Sequence, residues 1–217
     1  MATNQPAVIL PAEGGGAKKL KAFYRPELDV LRFGAFLLVF LSHAFGRIHL
    51  ISYGGGYGVD VFFALSSYLI TTLLLAEKER TGTIRAKDFY IRRGLRIWPL
   101  YFVFLLLIVP LSHFALHDHL NRKYLALFAI GLGNWACVFW GFPSSIAAPL
   151  WSVSVEEQFY GVWPFVAKRF FRHIPALACA LLLVANASRV WLVTHGASHT
   201  AVWCNTLARL DPIAGGG

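Results

Sequence analysis

Charge is confined to a few clusters in this chain, and long uncharged apolar runs lie between them. Of the 217 residues, 57% are hydrophobic and only 14% are charged, and the mean hydropathy is +0.55. Apolar runs of this length suit a bilayer, where every backbone N–H and C=O must find its partner inside the segment. The pattern predicts an all-α, polytopic transmembrane helix bundle. Its spans are set at about 31–50, 59–76, 97–113, 151–167 and 176–193, with a partly inserted segment at 124–140. The net charge of +9 does not imply nucleic acid, because the basic residues flank apolar spans.

Basic residues also set the orientation. Lys18, Lys19, Lys21 and Arg25 precede the first span, so the N-terminus is expected in the cytoplasm, with residues 1–22 a disordered tail. That tail has no apolar core and is not a signal peptide. Between 77 and 96, Lys78, Arg80, Arg85, Lys87, Arg92, Arg93 and Arg96 outweigh Glu77, Glu79 and Asp88, which puts this loop inside as well. Ser52 to Gly56 reads as an external turn, since a glycine cluster cannot continue a helix cheaply. The 124–140 run is interrupted by Gly131, Gly133 and Asn134. A re-entrant path there returns Lys168, Arg169 and Arg172 to the cytoplasmic side. Ser154-Val155-Glu156-Glu157 has the form of a capping box and predicts a helix start.

Within the first span, Asp29 to His43 is nearly all apolar except at its ends, where Arg32 and His43 stand. Eleven positions at about 100° each bring both to one helix face, roughly 16 Å apart, about half the hydrocarbon thickness. An intramembrane imidazole is too short to snorkel, so the pair is expected to face a polar interior. Asp60 begins the second span. A carboxylate is favoured there by the helix dipole, yet this one is flanked by Val59, Val61, Phe62 and Phe63. Arg92, Arg93 and Arg96 lie three or four apart or adjacent. On a helix they project to one side, a gathering of guanidinium forks suited to a phosphate-bearing ligand. Glu156 and Glu157 point about 100° apart and cannot serve one site equally.

Metal chemistry is not expected. Cys137, Cys179 and Cys204 form no Cys-x-x-Cys pair and no disulfide framework. His113, His117 and His119 with Asp118 have a suggestive spacing, but no fourth ligand is fixed, and the segment reads as a solvated loop.

Three blocks together resemble the acyltransferase 3 family of integral-membrane acyltransferases. The first is Leu28-Asp29 followed by Leu31-Arg32, with ten residues between Arg32 and His43. The second is Gly58-Val59-Asp60-Val61-Phe62-Phe63, running to Ser66. The third is Trp151 to Tyr160, followed by Trp163-Pro164. Arg92, Arg93, Arg96, Ile97, Pro99 and Tyr101 fit the same family between the second and third. Ser67 departs from the family's usual glycine. The resemblance implies about ten spans, of which this chain offers five or so, ending in a stretch from Arg209 that is similar to the start of another family segment. It therefore looks like the N-terminal part of the usual domain, and missing helices or another subunit would complete it.

What the resemblance implies is transfer of an acyl group, often acetyl, from acyl-CoA to a hydroxyl of an envelope glycan or other carbohydrate-like acceptor, in a bacterial-type inner membrane. The family's histidine lands on His43, its paired arginine on Arg32, and its RxxR element on Arg93 and Arg96. His43 is expected as general base, Arg32 as a steadying charge, Asp60 or Glu156 as orienters of the imidazole, and Arg92, Arg93 and Arg96 as holders of CoA phosphates. Two other readings remain open on the residues: an inactive fragment, and a transport subunit with Arg32, His43 and Asp60 in a polar path.

Overall fold

A computed structural model describes residues 26–45, 49–111 and 120–216. The expected tail at 1–22 and the histidine-rich segment with His113, His117, Asp118 and His119 lie outside the described residues. The described chain is all-helical: α1 (Pro26–Ala44), α2 (His49–Thr81), α3 (Ala86–Leu111), α4 (Arg122–Ala129), α5 (Gly133–Trp140), α6 (Leu150–Arg169), α7 (Ile174–Thr194), α8 (His199–Cys204) and α9 (Leu210–Gly215). Among the described residues, two stretches, 54–81 and 171–194, are long and apolar enough to cross a membrane.

The expected turn at Ser52 to Gly56 does not form, because α2 starts at His49 and runs straight through the glycines. Each glycine costs a helix roughly 1 kcal/mol relative to alanine. Close packing offsets that cost here. A Cβ on Gly55 would fall 2.1 Å from Ser42 Oγ, and one on Gly58 would fall 2.7 Å from the Ala35 carbonyl oxygen. Gly56 faces the other way, where a Cβ would meet the Trp203 ring at 2.8 Å. The glycines are thus a seam for α1 on one side and α8 on the other, the small-residue packing that lets two helix backbones approach closely.

The capping box also gives way to a tertiary contact. α6 starts at Leu150, so Ser154 is inside the helix. Its hydroxyl donates to the Leu150 carbonyl (3.3 Å) and accepts the Gly133 N–H (3.1 Å), which lies at the start of α5. The 124–140 run is two eight-residue helices broken at Gly131, whose φ of +74° favours glycine. Each rises about 12 Å, too little to cross a bilayer alone.

α2 and α6 form the centre of the core. Phe63 meets Trp151 edge-on at 6.3 Å, Ser66 donates to Glu156 (3.0 Å), and the Trp163 indole N–H donates to Thr71 (2.9 Å). These three rungs advance together along the two helices. α3 crosses α6, with the Tyr90 hydroxyl on the Gly161 carbonyl (2.7 Å) and Trp98 on Glu157 (3.0 Å). Outward faces are apolar: Phe33, Phe36 and Phe40 on α1, Leu100 and Leu106 on α3, and Leu183 and Val190 on α7 are all exposed.

Candidate functional site

His43 stands in the last turn of α1, and its Nδ1 is 2.7 Å from the carbonyl oxygen of Val39, one turn back. A carbonyl only accepts, so this contact puts the proton of the neutral ring on Nδ1 and leaves the Nε2 lone pair free. His43 lines a cavity of about 450 Å³ together with Ser42, Gly56, Phe142, Trp151, His199 and Trp203. Aromatic rings dominate the wall. His199 stacks on Trp203 at 5.9 Å with the planes 14° apart, and Phe142 meets Trp151 at 6.4 Å.

Behind that wall is an ion pair whose cation is buried. Arg209, only 3% exposed, donates to the Asp60 carboxylate. Its guanidinium lies 4.3 Å from the centre of the Trp203 ring and 5.9 Å from that of Trp151. Cation–π contact of this kind helps to fix the indoles. Asp60 is therefore engaged by Arg209 and is not among the residues lining the His43 cavity. A second pair, Arg189 with Asp211, ties α7 to α9 beside it.

Arg32 shares the helix but not the cavity. It pairs with Asp29 at 3.1 Å, one turn away, and remains partly exposed. The two adjacent glutamates diverge as their spacing requires. Glu156 accepts from the hydroxyls of Ser66 (3.0 Å) and Tyr160 (2.9 Å). Glu157 turns to α3 and accepts the Trp98 indole N–H. Neither carboxylate reaches His43 in the described contacts, so the imidazole's partner is the Val39 carbonyl.

The three arginines do not act as one face. Arg92 approaches Glu77 at 3.9 Å, while Arg93 lies over the Tyr160 ring at 4.8 Å, on the side of the Glu156 carboxylate. Arg96 is exposed and forms no ion pair among the described residues. Neighbouring positions on a helix are about 100° apart, and α2 and α6 flank α3 with different partners, so Arg92 and Arg93 separate. The sequence reading met Arg209 only as the start of a family-like stretch and missed its role, and it missed Trp203. Arg209 is 149 positions from Asp60, and no local pattern announces a pair at that separation. Among the described residues no cluster of His, Cys, Asp and Glu could hold a metal ion.

The chain is similar to several curated proteins. It is 32% identical over 211 residues to the peptidoglycan O-acetyltransferase OatA of Listeria monocytogenes, covering 89% of this chain and 33% of the relative. It is 31% identical over 215 residues to the Staphylococcus aureus (strain MSSA476) protein named "Putative O-acetyltransferase SAS0844", covering 92% of this chain and 35% of the relative. The chain thus spans about a third of the length of these relatives. No solved structure matches it. The family model described as "Acyltransferase domain", that of acyltransferase 3, matches residues 25–205. That match holds both ends of the His43 cavity wall as far as Trp203, and the chain belongs to the acyltransferase 3 family.

Proposed function

We propose that this chain is the acyl-transferring part of a polytopic membrane enzyme that moves an acyl group, most simply acetyl, from acyl-CoA to a hydroxyl of a cell-envelope glycan. The observation that carries this reading is His43, a ring with a free Nε2 on the wall of an aromatic cavity, in a chain of this family. The relatives named for peptidoglycan O-acetylation favour a glycan acceptor. Apolar outward faces on α1, α3 and α7 favour a bundle set in lipid, with the basic end of α3 in the cytoplasm of a bacterial-type inner membrane.

An alcohol is a weak nucleophile at neutral pH and needs a base at its proton. His43 Nε2 takes the hydroxyl proton as the alcohol oxygen forms its bond to the thioester carbonyl carbon. The carbon–sulfur bond then breaks, and the imidazolium returns the proton to the departing CoA thiolate. The Val39 carbonyl holds the ring in the tautomer this step requires. Arg93 and Arg96 grip the CoA phosphates at the cytoplasmic end, while Arg92 is turned to Glu77. Arg32 lies between that end and His43 on α1, outside the cavity, and steadies negative charge on the donor as it passes. Glu156, held by Ser66 and Tyr160 and faced by Arg93, carries the polar path between the two ends. Asp60 acts through Arg209 on the cavity wall.

The test is transfer of label from [acetyl]-CoA to a peptidoglycan fragment by the purified chain in vesicles. Labelled glycan is the expected product. Binding of acyl-CoA with no labelled acceptor from any envelope glycan would remove the glycan from this proposal, and absence of acyl-CoA binding would remove the donor.

A further inference from the structure

A second cavity, of about 380 Å³, lies between α3, the α4–α5 turn and α6, away from His43. Trp98, Tyr101, Phe102 and Ile130 supply much of its wall, and Ser154, Glu157 and Gln158 supply its polar side chains. Nearly all of its hydrogen-bonding capacity is taken up within the protein. Ser154 is engaged at both ends, as described above. The Gln158 amide donates to the Gly131 carbonyl (3.2 Å) and Asn134 Oδ1 (2.7 Å), and its oxygen accepts from Thr206 (2.6 Å). Tyr101 donates to the Phe128 carbonyl (2.7 Å), and Trp98 donates to Glu157 Oε2.

One atom is left. Glu157 Oε1 is buried and has no hydrogen-bond partner among the described residues. No lysine, arginine or histidine lines the cavity to compensate it. An unpartnered buried carboxylate oxygen is costly, and it asks for an N–H or O–H donor, preferably a charged one. Aromatic rings beside a carboxylate are the surroundings that suit an ammonium group. Sharing Trp98 and Phe102 with this cavity, an almost wholly apolar groove of about 450 Å³ is formed with Tyr90, Ile91, Gly94, Leu95 and Pro99. Trp98 follows Arg96, the last of the basic cluster, by two residues, which is the level of a cytoplasmic headgroup in the membrane placement proposed above.

We propose that this cavity and groove together bind a membrane lipid bearing a primary ammonium head. The ammonium donates to Glu157 Oε1 and lies against the Trp98, Tyr101 and Phe102 rings, while an acyl chain follows the groove along α3. The site would anchor α3 to α6 through a lipid at the end of the chain where the donor is proposed to enter. This inference rests on the membrane reading and on nothing proposed about catalysis.

The experiment reconstitutes the full chain into vesicles of phosphatidylethanolamine with phosphatidylglycerol, or of phosphatidylcholine with phosphatidylglycerol. Lipid retained through detergent delipidation is then measured by native mass spectrometry. The two zwitterionic heads differ in N–H donors, three against none. The expected preference for phosphatidylethanolamine is about tenfold, the scale of one charge-assisted hydrogen bond. Glu157→Gln should abolish the preference while the helical circular dichroism and its melting are retained. Equal retention of the two lipids by the unaltered chain would overturn the proposal without any variant. An unchanged preference in folded Glu157→Gln would overturn it too. Displacement of the lipid by soluble phosphoethanolamine at matched concentration would show that the occupant is a soluble amine and not a lipid. Failure of the chain to insert, seen as release by alkaline carbonate, would instead count against the membrane reading itself.

Discussion

Asp60 and His43 carry most of the chemistry legible at the residue scale, and they relate differently from what their types suggest. A carboxylate near a histidine invites a charge relay, but Asp60 is bonded to Arg209, and the imidazole rests on a backbone carbonyl. Arg209 is nearly fully buried, so removing its counter-charge should be expensive. Asp60→Asn is expected to cost on the order of 3 kcal/mol, at the low end for a broken buried pair because the Asp60 side chain is 37% exposed. A joint Asp60→Leu, Arg209→Met chain should recover much of that stability in thermal melting. It should not recover the cavity wall, since the guanidinium behind Trp203 is gone. Joint replacement that melts no higher than Asp60→Asn would show that the charge pair is not what the site requires. The pairing of Arg209 was invisible in the sequence because its partner is far away in the chain and its surroundings are aromatic. His43 was visible because a lone imidazole in an apolar run has no structural reason to be there.

At the element scale the helices themselves follow from the apolar runs, and their exact ends do not. Gly54 to Gly56 reads locally as a turn, yet α2 continues through it because α1 and Trp203 need the space. Ser154 reads locally as a cap, yet the Gly133 N–H takes its hydroxyl and α6 starts earlier. In both places a contact between distant segments outweighs a local preference of about 1 kcal/mol, and single-sequence reasoning has no access to that contact. The glycine seam gives a sharp contrast. Gly58→Ala should destabilise the chain by about 1–3 kcal/mol, since its Cβ would press on the Ala35 carbonyl and the Val39 side chain. Gly34→Ala, on the open face of α1, meets nothing within 4 Å and should stabilise the helix by up to about 1 kcal/mol. Equal melting shifts for the two variants would contradict the packing of α1 on α2. Gly55→Ala should also disturb catalysis, because it displaces Ser42 beside His43.

Across the whole molecule, polar groups are arranged along an axis. The basic cluster, with Arg93 over Tyr160, stands at one end, Glu156 with Ser66 in the middle, and the His43 cavity at the other. Tyr160 and Ser152 are eight residues apart on α6, so the proposed donor end and the cavity are separated by roughly 12 Å of helix. A long flexible thioester arm suits that separation. The separation of the arginine cluster from His43 was legible in the sequence, but the place of Glu156 and the division of labour among the arginines were not, because they depend on which helix each one meets. Replacing Arg93 and Arg96 by Gln should weaken acyl-CoA binding at least tenfold and leave membrane insertion intact, since the other basic residues of the loop still hold it inside. Lost insertion with unchanged affinity would make the cluster purely topogenic. The central claim is that His43 is the base for the acceptor hydroxyl, and the most direct measurement is the rate of acyl transfer to glycan by His43→Gln beside its affinity for acyl-CoA. The expected result is a rate lower by about 10²–10⁴ with donor affinity unchanged; transfer at the unaltered rate would contradict it.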